Sequence, residues 1–274
     1  MVERLVRAPL YPTGSRVMLA LIGVSILWRV VSVWSEVPFL YGELSAAPLP
    51  PRSVHALHII WSLAAFGLIS ARYTRACSLI AIVAYSIDAF AGLQDAGDYL
   101  ARIVLVYTLL LDQDLIRGRT KGELNVFLHN LGALGILVQL CVVYVNTSLW
   151  KLQGADNFWL EGTMLYYATH LQNHGMAWAQ ELFEVPFVVY TATYAALLYQ
   201  LSFLPLLFTR WHGVSVIVGV GFHLGIVLVL GLVPFGLVMT GLVLFTVRES
   251  TWQRLRSLMN RTKLYYFRQV QVDE

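Results

Sequence analysis

The chain has 274 residues, 58% of them hydrophobic and 13% charged, with a net charge of +3 at neutral pH. Soluble globular domains carry about a quarter charged residues, so a soluble enzyme fold is excluded. The basic residues are scattered over short segments rather than along one face, which excludes a nucleic-acid-binding surface. What remains is an all-α polytopic membrane protein.

Eight transmembrane helices are expected in chain order, at about 17–35, 53–71, 76–94, 98–112, 122–147, 185–208, 213–231 and 233–248. The fourth is short, and the last two are divided only around Pro234, so seven spans or a re-entrant segment are the alternatives. The first apolar run follows Arg4, Arg7 and Arg16. It is long for a signal sequence and lacks a small-x-small cleavage site, so it is read as a retained helix. Residues 1–248 form one transmembrane domain. Residues 249–274 form a basic cytoplasmic tail that alternates basic and apolar positions, the pattern of a helix lying on the anionic inner leaflet. Cys77 and Cys141 fall within spans and read as packing residues.

Charge sets the orientation. With the N-terminus inside, Arg4, Arg7, Arg16, Arg72, Arg75, Arg117, Arg119, Lys121, Arg210, Arg248, Arg254, Arg256, Arg261, Lys263 and Arg268 all face the cytoplasm. Only Arg52 and Lys151 face outward, while Arg29 and Arg102 lie within spans. This bias satisfies the positive-inside rule, places both termini in the cytoplasm and turns a long loop, about 148–184, to the outside. That loop holds Trp150, Phe158, Trp159, Tyr166, Tyr167 and Trp178, a composition suited to interfacial helices.

The ionisable residues inside spans gather at one depth. Arg29, His55, His58, Asp88, Asp98, Arg102 and Lys151 all fall within roughly 10 Å of the outer boundary at a helical rise of about 1.5 Å per residue. The inner half holds only His129, and His223 lies near mid-membrane. Scattered anchors would populate both sides, so a polar cavity open to the outer face is expected. The plainer alternative pairs Asp88 with Arg29 or Arg102 and turns the others to the headgroups. His170 and His174 have i,i+4 spacing, but the glutamate of a HExxH motif is absent and no metal site is expected. No G-x-S-x-G motif, phosphate-binding glycine loop or cysteine nucleophile is present.

The stretch "VQLCVVYVNTSLWKLQGADNFWLEGTML" resembles the signature of the HTTM domain, the membrane part of vitamin K-dependent γ-glutamyl carboxylases, through Lys151, Leu152, Trp159 and Gly162. "GVGFHLGIVLVLGLVPFGLVM" is similar to a second block of that family through Phe222, His223, Phe235 and Met239, and "GDYLARIVLVYTLLL" to a weaker third. Order and spacing agree over about residues 75–245. Among short bacterial members, the chain resembles those encoded beside secreted antimicrobial peptides, of the sporulation-delaying maturation type. The resemblance implies that Lys151 is a base acting on a reduced quinone. Lysine suits that use because, unlike arginine, it gives up its proton readily when desolvated. Two departures weigh against glutamate carboxylation itself. The family's assisting histidine is missing from "DAGDYL", and its large lumenal domain has no counterpart here.

Two functions follow as expectations. One is a membrane enzyme modifying or processing a secreted peptide at the extracytoplasmic face. Lys151 would be its base, supported by His223, Asp98 and Arg102, with Arg29, His55, His58 and Trp159 about a membrane quinone or lipid cofactor. The other is a non-catalytic membrane protein that binds lipid or quinone, or serves as immunity factor or assembly partner for a secreted antimicrobial peptide. A transporter ranks third, because paired Gly/Pro-broken helices are absent.

Overall fold

The computed structural model describes residues 6, 8–43, 48–153, 157–171 and 175–270, with the side chains of Glu43, Asn157 and 261–270 excepted. No strand occurs among them. The long helices are α1 (Pro12–Val33), α2 (Pro51–Ile69), α3 (Thr74–Phe90) and α4 (Ala96–Thr108). After the short α5 (Gln113–Ile116) comes α6 (Glu123–Gln153), and then the short α7 (Met164–His170) and α8 (Ala177–Leu182). The chain continues through α9 (Pro186–Leu207), α10 (His212–Leu230), α11 (Val233–Phe245) and α12 (Glu249–Val270). A π-helical turn, Phe39–Glu43, lies between α1 and α2.

Local chemistry sets the boundaries. Proline opens α1, α2 and α9, where its missing N–H costs nothing and its fixed φ suits the first turn. Asp95 and Asp98 cap α4 reciprocally, each side chain accepting from the other's backbone N–H. Gly231 ends α10 in the left-handed conformation.

Among the described residues, five helices are long and apolar enough to cross a bilayer: α1, α2, α6, α9 and α10. A sixth crossing is reached if α11 and the first part of α12, bent by 99° at a short break, are counted together. The expected spans 76–94, 98–112 and 233–248 correspond to the shorter α3, α4 and α11, of 17, 13 and 13 residues. The structure therefore carries an all-helical membrane protein.

Helix α1 is the axis of the bundle and packs against α2 and α11. It runs antiparallel to α11: a Cβ on Gly14 would meet the backbone of Phe245, and one on Gly241 would meet Met18. Hydrocarbon gives helices no hydrophobic reason to associate, so such close backbone approaches provide the van der Waals contact that does. Met18, Leu19, Ile22 and Ile26 are fully buried against Trp61, Tyr85, Val238 and Leu242. Helices α3 and α4 extend this group, while α6 packs on α9 and α4, and α9 on α10.

Thr13 donates to Glu249 at 2.7 Å, so the start of α1 and the start of α12 lie at the same end of the bundle. There Leu10 donates to Asn130 (2.6 Å), and His129 accepts from the Asp112 N–H (3.2 Å). His129 Nε2 then lies 3.1 Å from the Leu10 carbonyl, as its donor. His129 is thus a buried fastening between helix ends.

Candidate functional site

The expected single cavity is two separate groups of polar residues, with Arg102 in neither. The first joins the ends of α1 and α3 to the starts of α2 and α4. The Arg29 guanidinium lies 3.4 Å from Asp88 and 3.6 Å from Asp98, and both carboxylates are fully buried. Tyr41, carried by the π-helical turn, donates to Asp88 and lies 3.4 Å from His58 Nε2. His55 is reached through Trp34, whose ring lies tilted against it with centroids 4.5 Å apart. Arg29, Asp98, His55 and His58 therefore do come together, with Asp88 and Tyr41 added. Each element contributes one or two members, so the group fastens four helices through ion pairs and hydrogen bonds.

Arg102 lies one turn beyond Asp98 on α4, but its guanidinium sits 5.5 Å over the ring of Tyr99. Among the described residues it makes no ion pair. Its expected supporting role beside Lys151 is not what the geometry provides, and Asp98 is likewise committed to Arg29. The physical reason is rotational: i,i+4 spacing puts two residues on one side of a helix, but long side chains leave it in different directions.

The second group is built on α6. Tyr144, Ser148 and Lys151 share one face at i, i+4 and i+7, and Tyr144 and Ser148 are buried. Tyr144 Oη lies 2.7 Å from His223 Nε2 on α10 and 3.3 Å from Tyr199 Oη on α9. His223 is 1% exposed, and its Nδ1 has no hydrogen-bond partner among the described residues. Lys151 Nζ donates to Gln200 Oε1 at 2.6 Å and lies 3.7 Å from the centre of the Trp159 ring. No carboxylate lies within ion-pair distance of it among the described residues. Phe235 of α11 stands between the two groups, its backbone against Gly97 and its ring 6.1 Å from His223.

Helix α6 continues past the expected span end at 147 through Gln153, so Lys151 is in its last turn. The helix is about 46 Å long, more than a bilayer needs, so the residue count along it does not measure depth. The neighbours of the amine show where it lies against α9. Gln200 is about 21 Å along α9, whose 22 residues make it about 33 Å long. The amine is thus beside the middle of a membrane-length helix.

A roof covers it. Residues 157–171 fold back onto α9: Leu165 N–H donates to Thr193 (3.3 Å) and Tyr194 Oη to the Leu160 carbonyl (2.7 Å). Gly162 has a φ of +77° and stands where a Cβ would come 2.5 Å from Tyr190. Two residues of the quoted motif thus have physical roles, Trp159 as a lid over the amine and Gly162 as the turn that seats it. His170 stacks on Tyr166 and lies 3.2 Å from Glu184, while His174 lies outside the described residues. No cluster of three metal ligands occurs among the described residues.

Below the roof, α9 and α10 flank an open apolar cavity of about 330 Å³. Ala192, Ala195, Ala196 and Gly225 leave the space, and Tyr199 and Phe222 bound it on the side of the second group. The sequence reading missed Tyr144, Tyr199 and Gln200. Tyrosine and glutamine are ordinary in membrane helices, and only their convergence on Lys151 and His223 distinguishes them. No protein-family model, curated protein or solved structure matches this chain at a significant level. Its functional reading therefore rests on its own residues and their arrangement.

Proposed function

We propose that the chain is a multi-pass cell-membrane enzyme that modifies a secreted peptide at the extracytoplasmic face, with Lys151 as the base. It would cross the membrane eight times with both termini in the cytoplasm. The observation that supports this best is the direction of the Lys151 side chain. A lysine that anchors a helix extends its amine to the headgroups. This one turns to Gln200, at mid-depth on α9, beneath Trp159. Ionisable groups held inside a membrane mark functional sites because their burial is costly.

Neither Gln200 nor Trp159 brings a negative charge, and Tyr144, Tyr199 and His223 offer further hydroxyl and imidazole groups on the same side of α6. The resemblance to the HTTM domain supports the same reading, because Lys151, Trp159 and His223 all lie in its motifs and all gather here. The cavity beside Tyr199 fits the apolar chain of a membrane quinone or lipid, which residues from Ala192 to Leu230 would hold. A quinone bound there would supply redox chemistry that side chains lack.

The test compares Lys151→Arg with Lys151→Met in cells that make the secreted peptide, reading the peptide's mass and the level of membrane protein. Both variants are expected at normal level with the peptide unmodified, because arginine keeps the charge but does not act as a base. Full modification by Lys151→Arg would end the base reading.

The cavity favours a second reading, a non-catalytic lipid- or quinone-binding protein acting as partner or immunity factor for the peptide. On that reading, filling the cavity with Ala196→Phe abolishes function while Lys151→Met does not.

A further inference from the structure

Helix α6 has a second face, turned away from Tyr144 and Lys151, that is largely uncovered among the described residues, with Phe208 at the end of α9 on its edge. Val138, Val142, Val145 and Leu149 are 59%, 51%, 39% and 49% exposed and recur at alternating intervals of four and three. Together with Leu137, Cys141 and Phe208 they border a shallow groove of about 350 Å³. Apolar exposure of this kind is normal for a helix bathed in lipid and by itself says nothing.

Two amides within that seam are not normal. Asn146 is exposed within the groove, and Gln139, half-buried, lies seven residues earlier on the same face. Neither makes a hydrogen bond among the described residues. Both are flanked on the helix surface by exposed apolar side chains, Val138, Val142, Val145 and Leu149, the surroundings of a segment bathed in lipid. Hydrocarbon offers no water to an unpaired amide, so each needs a partner from outside the chain.

We propose that this face of α6 is the interface of a parallel homodimer, in which Asn146 and Gln139 pair with their own counterparts. A carboxamide is both donor and acceptor and complements itself. Two copies inserted in the same orientation are related by an axis along the membrane normal, which puts identical residues at identical depth. A second copy thus supplies an amide opposite each amide without further design. Gln139, Val142, Asn146 and Leu149 recur at alternating intervals of three and four, those along which two parallel helices pack at a shallow angle, so both amides lie within the seam and face their own counterparts. The inward face, with Lys151, is left free, so the interface does not depend on the proposed function.

The experiment uses the full-length chain in liposomes, with Cys77 and Cys141 replaced by serine. Asn146→Cys is compared with Ile217→Cys, an exposed position on α10. Oxidation is expected to yield a covalent dimer from the first and none from the second. Resonance transfer between donor- and acceptor-labelled chains is expected to weaken about tenfold in apparent affinity for Asn146→Leu with Gln139→Leu. The proposal is overturned if the two cysteine variants cross-link equally. It is also overturned if the leucine pair leaves association unchanged, or if the purified chain is monomeric in lipid, an outcome that would assign the face to a different membrane protein.

Discussion

Arg29 and Arg102 look alike in the sequence, each a lone guanidinium in an apolar helix, and they separate on partners. Arg29 is held by Asp88 and Asp98, both buried, and Arg102 only by the face of Tyr99. Removing one member of a buried ion group leaves uncompensated charge, which costs about 3–5 kcal/mol. Arg29→Met is therefore expected to lower the unfolding temperature in detergent markedly. Arg102→Met is expected to change stability by only about 0.5 kcal/mol. Equal effects would refute the assignment of the clamp. The same contrast shows what was legible at this scale. Asp88 pairing with Arg29 was one of two partners the sequence allowed, whereas Tyr41 as a third member was not foreseeable from a turn of π-helix.

Among elements, α6 and the segment that follows it decide the site. The helix is longer than its expected span because nothing from Leu149 to Gln153 stops it, and its length carries Lys151 under the roof. That roof depends on Gly162. An alanine there faces both a positive φ and contact with Tyr190 and Tyr194, whereas Gly118, with a φ of +79°, has open space around it. Backbone strain alone is worth about 1–3 kcal/mol. Gly118→Ala is expected to show only that strain, and Gly162→Ala to expose residues 157–171 to protease added outside. Equal protease resistance of the Gly162→Ala variant and the parent would show that the roof does not rest on this turn. The aromatic segment after α6 contains the short helices α7 and α8, and a helix follows residue 248, bent away from α11.

For the whole molecule, the close contact of Thr13 with Glu249 and the antiparallel run of α1 and α11 put the starts of α1 and α12 at one end. If that end is cytoplasmic, cysteines at Lys121 and Ser250 are expected to be shielded from a membrane-impermeant maleimide added to intact cells, and those at Glu161 and Trp178 to react. Labelling of Lys121→Cys or Ser250→Cys from outside would reverse the orientation.

The class and the economy of charge were legible in the order of the amino acids. Composition forces helices through lipid, because every backbone group there must be satisfied internally, and the distribution of Lys and Arg sets a preferred orientation. That order also singled out Lys151, Trp159, His223 and Arg29 as residues needing an explanation. Which of them share a site followed from how the helices pack. Counting residues along a chain gives distance along one helix axis but neither its tilt nor the direction of a long side chain. One expected cavity therefore became a clamp around Arg29 and a separate group around Lys151. That lysine is held by Gln200, on a helix some fifty residues away.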